Sequence, residues 1–299
     1  MPLRRARTSG TEVHSAPLSS LIRYMFLTLR CADARLNRMR TMTAIDADEI
    51  LLFAQRLADV GRAGLLRARA EGIRVDTKAD GSFVTGTDRA IEARMRRMIG
   101  ETYPDHGILG EEYGPERLDA EVVWVLDPVD GTAPFIAGIP VYGTLIGAAL
   151  GGRPWIGVLD YPAAGDRWVG MEGLFAERNG ARVRTRRCSA LAGALTTCSS
   201  PDFFRDEDRP RLDRVRKEVR YTLYGASSLA FGLLAAGSTD LAVDSGLKPY
   251  DVFAPAAVIS GAGGIMTEWS GAGITFASQD RMVAVGDPDL HPAALDLLG

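Results

Sequence analysis

Residues 122–132 join an apolar run, Val122-Val123-Trp124-Val125-Leu126, to the hexapeptide Asp127-Pro128-Val129-Asp130-Gly131-Thr132. Five consecutive apolar residues bounded by a turn signal read as a buried strand, which commits the chain to a sheet covered by other elements. The strand delivers two carboxylates, a hydroxyl and a glycine to its C-terminal end. Carboxylates three apart across a Pro-kinked turn can converge on one point, and converging carboxylates normally demand a cation. Magnesium suits such a place, because it takes hard oxygen ligands and keeps positions open for water and phosphate. Gly131 lets an anion approach the backbone closely. Thr132 opens the next segment with free N–H groups. The block reads as a metal-assisted phosphate site.

The remaining sequence bounds what surrounds that block. A chain of 299 residues builds one large or two coupled domains. A net charge of −3 leaves no electrostatic footprint for nucleic acid. An anionic substrate must therefore be captured locally, by metal ions and helix ends. Cys31, Cys188 and Cys198 form no disulfide or metal pattern, which favours a reducing, cytoplasmic setting. No apolar run reaches membrane-spanning length. Residues 1–43 carry eight arginines against only Glu12 and Asp33. They read either as an organelle transit peptide or as an overextended start, with Met39 or Met42 as initiator. The functional core is taken without them.

Helical spacing runs from Ile50 to Leu66 and stops at Gly72. A short extended stretch at Ser82-Phe83-Val84 leads into a second helix, capped at Thr85 or Thr87 and carrying Ile91, Met95 and Ile99. Ile108-Leu109 is a short strand ending at Gly110-Glu111-Glu112. Extended segments follow the hexapeptide near 141–150, 155–161 and 167–176. The second half alternates strands at 194–199, 240–243 and 282–286 with helices at 207–219, 226–236 and 251–262. A boundary near residue 185 divides an N-terminal α+β half, 44–185, from a C-terminal α/β half, 186–299. His106, His291, Cys188 and Cys198 read as ordinary packing residues, and Arg182 to Arg187 as a solvated edge strand. Acidic clusters end three separate elements: Glu111-Glu112, Asp127 with Asp130, and Asp251 ahead of an apolar helix. Each alone has a structural use, Asp251 as a cap above all. A two-metal site needs several carboxylates from different elements, and the set supplies them.

These residues resemble the inositol monophosphatase superfamily of magnesium-dependent, lithium-sensitive phosphomonoesterases. The resemblance rests on Lys78-Ala79-Asp80-Gly81-Ser82-Phe83-Val84-Thr85-Gly86-Thr87-Asp88, on Gly110-Glu111-Glu112, on Asp127 to Thr132, and on Tyr250-Asp251 with Gly261-Ala262-Gly263-Gly264, in that order. It implies a layered α/β sandwich, αβαβα, of the sugar-phosphatase type. Carried over by position, it implies that Glu111, Asp127 and the Val129 carbonyl hold one Mg²⁺. Asp127 would bridge to a second ion completed by Asp130 and Asp251, with two or three ions in all and inhibition by Li⁺. Thr132 and Asp88 would orient and deprotonate the attacking water, and the Gly131 and Thr132 N–H groups would hold phosphate. The resemblance further implies a homodimer acting on a small phosphorylated alcohol, without nucleic acid or membrane.

Within the superfamily, Gly246-Leu247-Lys248-Pro249-Tyr250-Asp251, Thr267-Glu268-Trp269 and Pro140 to Gly147 are most similar to the histidinol-phosphate phosphatase branch. Asp244 falls where the family places an acidic residue that contacts the rest of the substrate. Its alternative is a strand-end surface Asp. Ala133-Pro134 departs from the basic residue usual in that branch, and Gly261 from a common acidic one. The resemblance implies hydrolysis of L-histidinol phosphate, with inositol 1-phosphate or a related sugar phosphate as the alternative. A rival of another class is a catalytically silent anion-binding scaffold on the same fold.

Overall fold

The computed structural model describes residues 46–77 and 83–299. The Arg-rich segment and residues 78–82 of the first motif lie outside the described residues. In chain order the elements are α1 (Ala47–Glu71), β1 (Val75–Thr77), β2 (Phe83–Thr85), α2 (Gly86–Thr102), β3 (Gly107–Gly110), β4 (Gly114–Glu116), β5 (Val122–Asp130) and α3 (Thr132–Ala137). Next come β6 (Gly143–Leu150), β7 (Arg153–Tyr161), β8 (Asp166–Met171), β9 (Phe175–Arg178), β10 (Ala181–Val183) and β11 (Leu195–Cys198). The rest are α4 (Arg209–Glu218), β12 (Tyr221–Tyr224), α5 (Leu229–Ala235), β13 (Leu241–Asp244), α6 (Pro249–Ala262), β14 (Ile265–Glu268), β15 (Met282–Val285) and α7 (His291–Leu298). The segment expected as one strand at 167–176 is two strands, because the chain turns at Glu172 to Leu174.

Eight strands form a sheet in the order β10-β9-β8-β7-β6-β5-β3-β4, and five form a second in the order β12-β11-β13-β15-β14. Strand alternation sorts the side chains into layers. On one face of the large sheet Trp124 meets Phe53 of α1, and Gly61 of α1 sits against Thr144. On the other face Gly147 and Gly157 let the backbone of α6 approach closely. The inner core joins Val125, Leu145 and Leu159 to α5 and α6, and reaches Ala242, Met282 and Ala284 of the second sheet. Alternate residues of those same strands, Leu241, Val243, Val283 and Val285, pack outward on Leu212 and Val215 of α4 and on Ala294 and Leu298 of α7. The layers are helix, sheet, helix, sheet, helix. Helix α6 is apolar on nearly every side because it lies between two sheets. Among the described residues no helix is long and apolar enough to cross a membrane.

Candidate active site

The hexapeptide turns only at Gly131, not between its two carboxylates. Strand β5 continues through Asp130 with every residue buried, and a bulge takes up the extra length. Asp127 pairs with Leu145 and Asp130 with Gly143, so three steps on β5 match two on β6. In a regular strand, residues three apart face opposite sides of the sheet. The bulged extra residue cancels that alternation and turns both carboxylates the same way. Pro128, which has no N–H to give a ladder, fits within the irregularity. Gly131 then takes a left-handed conformation, φ 72°, where a Cβ would stand 2.9 Å from the Ser227 hydroxyl.

Asp251 joins from the far half of the chain as the third residue of α6, where one carboxylate oxygen accepts from the Lys248 N–H at 2.6 Å. Asp251 is therefore not the N-cap itself, which is Lys248, but the third helical residue, whose carboxylate reaches back to the N-cap amide. Ligand oxygens of Asp127, Asp130 and Asp251 all lie within 4.8 Å of one another. Burial, followed by repulsion from Glu111, Asp130 and Asp251, pushes the Asp127 carboxyl far above the usual range. Burial likewise raises Asp251 well above it, and raises Asp130 to about 6. None of the three is bonded to a basic side chain among the described residues; their partners are backbone amides, the Tyr161 phenol, the Ser228 hydroxyl and the Glu111 carboxyl. Three crowded carboxylates, two buried and Asp251 half-buried, with only Lys248 acting on Asp251 from a distance as a positive charge, are what a hard divalent cation would neutralise, so this set fits magnesium.

Glu111 stands just outside that triad, at the end of β3, and shares a hydrogen bond with Asp127. Val129 N–H donates to Asp127 at 3.0 Å, and the Val129 carbonyl accepts from the Thr132 hydroxyl at 3.1 Å. Asp88 is the third residue of α2. Its Oδ2 accepts from the Thr85 N–H at 3.0 Å and from the Thr85 hydroxyl, while its buried Oδ1 has no partner. Burial raises its pKa to about 6. Helix α3, which Thr132 opens, packs on β2, the strand that ends at Thr85. Asp244 is no surface residue. It is buried at the end of β13, and its two oxygens accept from the Ser199 N–H at 2.7 Å and hydroxyl at 3.2 Å. His106 accepts from the Trp124 indole at 3.1 Å and stacks on Tyr103, and His291 bonds Thr267 at 2.8 Å. Both are packing residues, as expected.

Three supporting residues escaped the sequence reading. Glu92, fully buried on α2, accepts from the Glu112 N–H at 2.7 Å, the Tyr113 N–H at 3.2 Å and Arg96 Nε at 2.8 Å. It thereby ties down the loop that carries Glu111. A Cβ on Gly110 would fall 1.9 Å from its carboxylate, so that glycine admits it. The available signal was a charge inside the stripe Ile91, Met95, Ile99. Tyr161 donates to Asp130 Oδ2 at 2.8 Å, and the Ser228 N–H and hydroxyl bond the same carboxylate at 3.2 and 2.9 Å. Neither Tyr161 nor Ser228 lies in a motif that marks it.

Comparison with known proteins agrees over nearly the whole described chain. The profile of the Inositol monophosphatase family matches residues 46–298. The chain is 41% identical over 260 residues to the bifunctional phosphatase IMPL2, chloroplastic, of Arabidopsis thaliana, covering 81% of this chain and 75% of that one. It is 34% identical over 229 residues to a histidinol-phosphatase of Mycobacterium tuberculosis, covering 74% and 88%. A solved inositol monophosphatase from Zymomonas mobilis superposes with a TM-score of 0.77 at 38% identity, covering 85% of this chain and 99% of that one.

Proposed function

Because the chain belongs to the inositol monophosphatase family, we propose that it is a Mg²⁺-dependent phosphomonoesterase whose substrate is L-histidinol phosphate. The observation that carries the chemistry is the convergence of Asp127, Asp130 and Asp251 within 4.8 Å. Glu111 and the Val129 carbonyl complete the set that would hold the cations. Magnesium bound there supplies charge neutralisation for the phosphoryl oxygens, the leaving alkoxide and an acidified water. The protein's own part is positioning. The free Oδ1 of Asp88 takes the proton of the attacking water, and Thr132, anchored on the Val129 carbonyl, aligns that water. The Gly131 and Thr132 N–H groups hold the phosphate. In-line phosphoryl transfer needs little more than placement and electrostatics.

The choice of histidinol phosphate rests on the Lys248-Pro249-Tyr250-Asp251 segment and on the likeness to a named histidinol-phosphatase. Inositol 1-phosphate is the second reading, favoured by the likeness to the Zymomonas mobilis enzyme. Phosphate release from histidinol phosphate, inositol 1-phosphate, fructose 1,6-bisphosphate and adenosine 3′,5′-bisphosphate separates them. A kcat/KM for histidinol phosphate about tenfold or more above the others is the expected outcome, a factor worth about 1.4 kcal/mol of transition-state binding. Preference for inositol 1-phosphate would replace the substrate and leave the chemistry. Hydrolysis of none would return the silent scaffold.

Asp88 gives the reaction a pH dependence of defined sign. It acts as a carboxylate, and burial places its pKa at about 6. Activity therefore rises with pH through that value, and cations nearby pull the midpoint down rather than up. The measurement is kcat at saturating substrate from about pH 5 to 9, so that titration of the free substrate drops out. A fall in kcat toward acid with a midpoint at or below about 6 is expected. A fall with a midpoint near 8 would assign the base elsewhere.

A further inference from the structure

Strand order puts one phenol in reach of the acidic cluster. Asp130 on β5 pairs with Gly143 on β6, and β6 pairs in turn with β7, which ends at Tyr161. A Cβ on Gly143 would lie 2.7 Å from the Tyr161 ring, so the missing side chain is the gap through which Tyr161 reaches two strands across. The ring is fully buried and held edge-on against Trp168, with centroids 6.2 Å apart. Its hydroxyl ends 2.8 Å from Asp130 Oδ2. A carboxylate has about four lone-pair directions. On Asp130, Oδ2 takes Tyr161 and the Ser228 N–H, and Oδ1 takes the Ser228 hydroxyl. One direction stays open, on Oδ1.

We infer that Tyr161 is a positioning residue which, with Ser228, locks the Asp130 carboxylate so that it offers a divalent cation a single oxygen, Oδ1. The inference rests on the reading of the cluster as a magnesium site. Three donors on two oxygens fix the carboxylate plane before any ion arrives. Groups that orient a ligand in this way contribute about 10–100-fold to metal affinity.

The test is calorimetric titration of Mg²⁺ into the full chain without substrate, for the wild type, Tyr161→Phe and Ser228→Ala. Phenylalanine keeps the ring and its packing and deletes one hydroxyl. The expected result is Mg²⁺ binding weakened about 10–100-fold in Tyr161→Phe, with the Mg²⁺ concentration for half-maximal activity raised by more than kcat falls. Unchanged Mg²⁺ affinity in a Tyr161→Phe protein that melts cooperatively overturns the inference, because a purely structural hydroxyl would change the melt and leave affinity alone. Should Tyr161→Phe fail to fold, Ser228→Ala decides by the same criterion. A wild type that binds no Mg²⁺ at millimolar concentrations would instead overturn the magnesium site itself, and this inference with it.

Discussion

Replacing Asp127 with asparagine is expected to remove activity while stabilising the metal-free protein. Asp127 is 2% exposed and crowded by Glu111, Asp130 and Asp251. Its pKa is raised in the folded state, so its ionisation opposes folding. The stability it permits is fully present below the ordinary carboxylate pKa and is lost as pH rises through the folded value. Asparagine removes that charge and keeps the geometry: its Oδ1 can accept the Val129 N–H, and its amide can donate to Glu111, where the acid needs a shared proton. The metal-free variant should gain about 1–2 kcal/mol at neutral pH, roughly 2–8 °C in Tm for a domain of this size. The gain should vanish in acid. Activity should fall by at least about 100-fold, the loss that follows removal of one preorganised electrostatic group. Melting curves with EDTA at acid and neutral pH, beside turnover with Mg²⁺, read both effects. Near-normal turnover would show that Asp127 does not hold the metal.

Glu92→Ala is expected to give the largest loss of stability. The carboxylate is fully buried and serves two backbone N–H groups and Arg96, whose side chain is only 16% exposed. Truncation would leave two amides and Arg96 Nε without their acceptor, while the rest of the guanidinium keeps the Gly114 carbonyl and Glu116. Breaking a buried pair from one side costs about 3–5 kcal/mol, which lowers Tm by roughly 10 °C. The loop bearing Glu111 would lose its anchor at the same time, so Mg²⁺ affinity should fall with stability. Denaturant unfolding of the metal-free protein measures the first effect. A shift under 1 kcal/mol would mean that water or a relaxed loop replaces Glu92.

The contrast between these two residues shows how much was legible in the sequence. Asp127, Asp130 and Asp251 stand next to signals that sequence carries well: an apolar strand, a glycine turn and an apolar helix start. The layered fold was legible for the same reason, since residues 122–126 of β5 and 252–259 of α6 are unbroken apolar stretches and announce that both faces are covered. The manner in which Asp127 and Asp130 converge was not legible. Pro128 signals a break in regular pairing, and a bulge and a turn share that signal; only the register against Leu145 and Gly143 separates them. Glu92, Tyr161 and Ser228 act through partners 20, 31 and 98 residues away in sequence. Such contacts are created by strand order, which local periodicity does not encode. Asp244 was read as a substrate contact or a surface residue, and burial with Ser199 removes the second of these. Its pKa, raised to about 7 chiefly by burial, marks a carboxylate that a substrate group would have to draw away from Ser199.

The most direct measurement is phosphate release from histidinol phosphate as Mg²⁺ is titrated into protein stripped with EDTA. No turnover without the ion, a saturable rise as it is added, and no rise in Asp127→Asn are the expected results. Turnover that persists in EDTA, or that Mg²⁺ restores equally in Asp127→Asn, would contradict the assignment of the acidic cluster as the catalytic cation site.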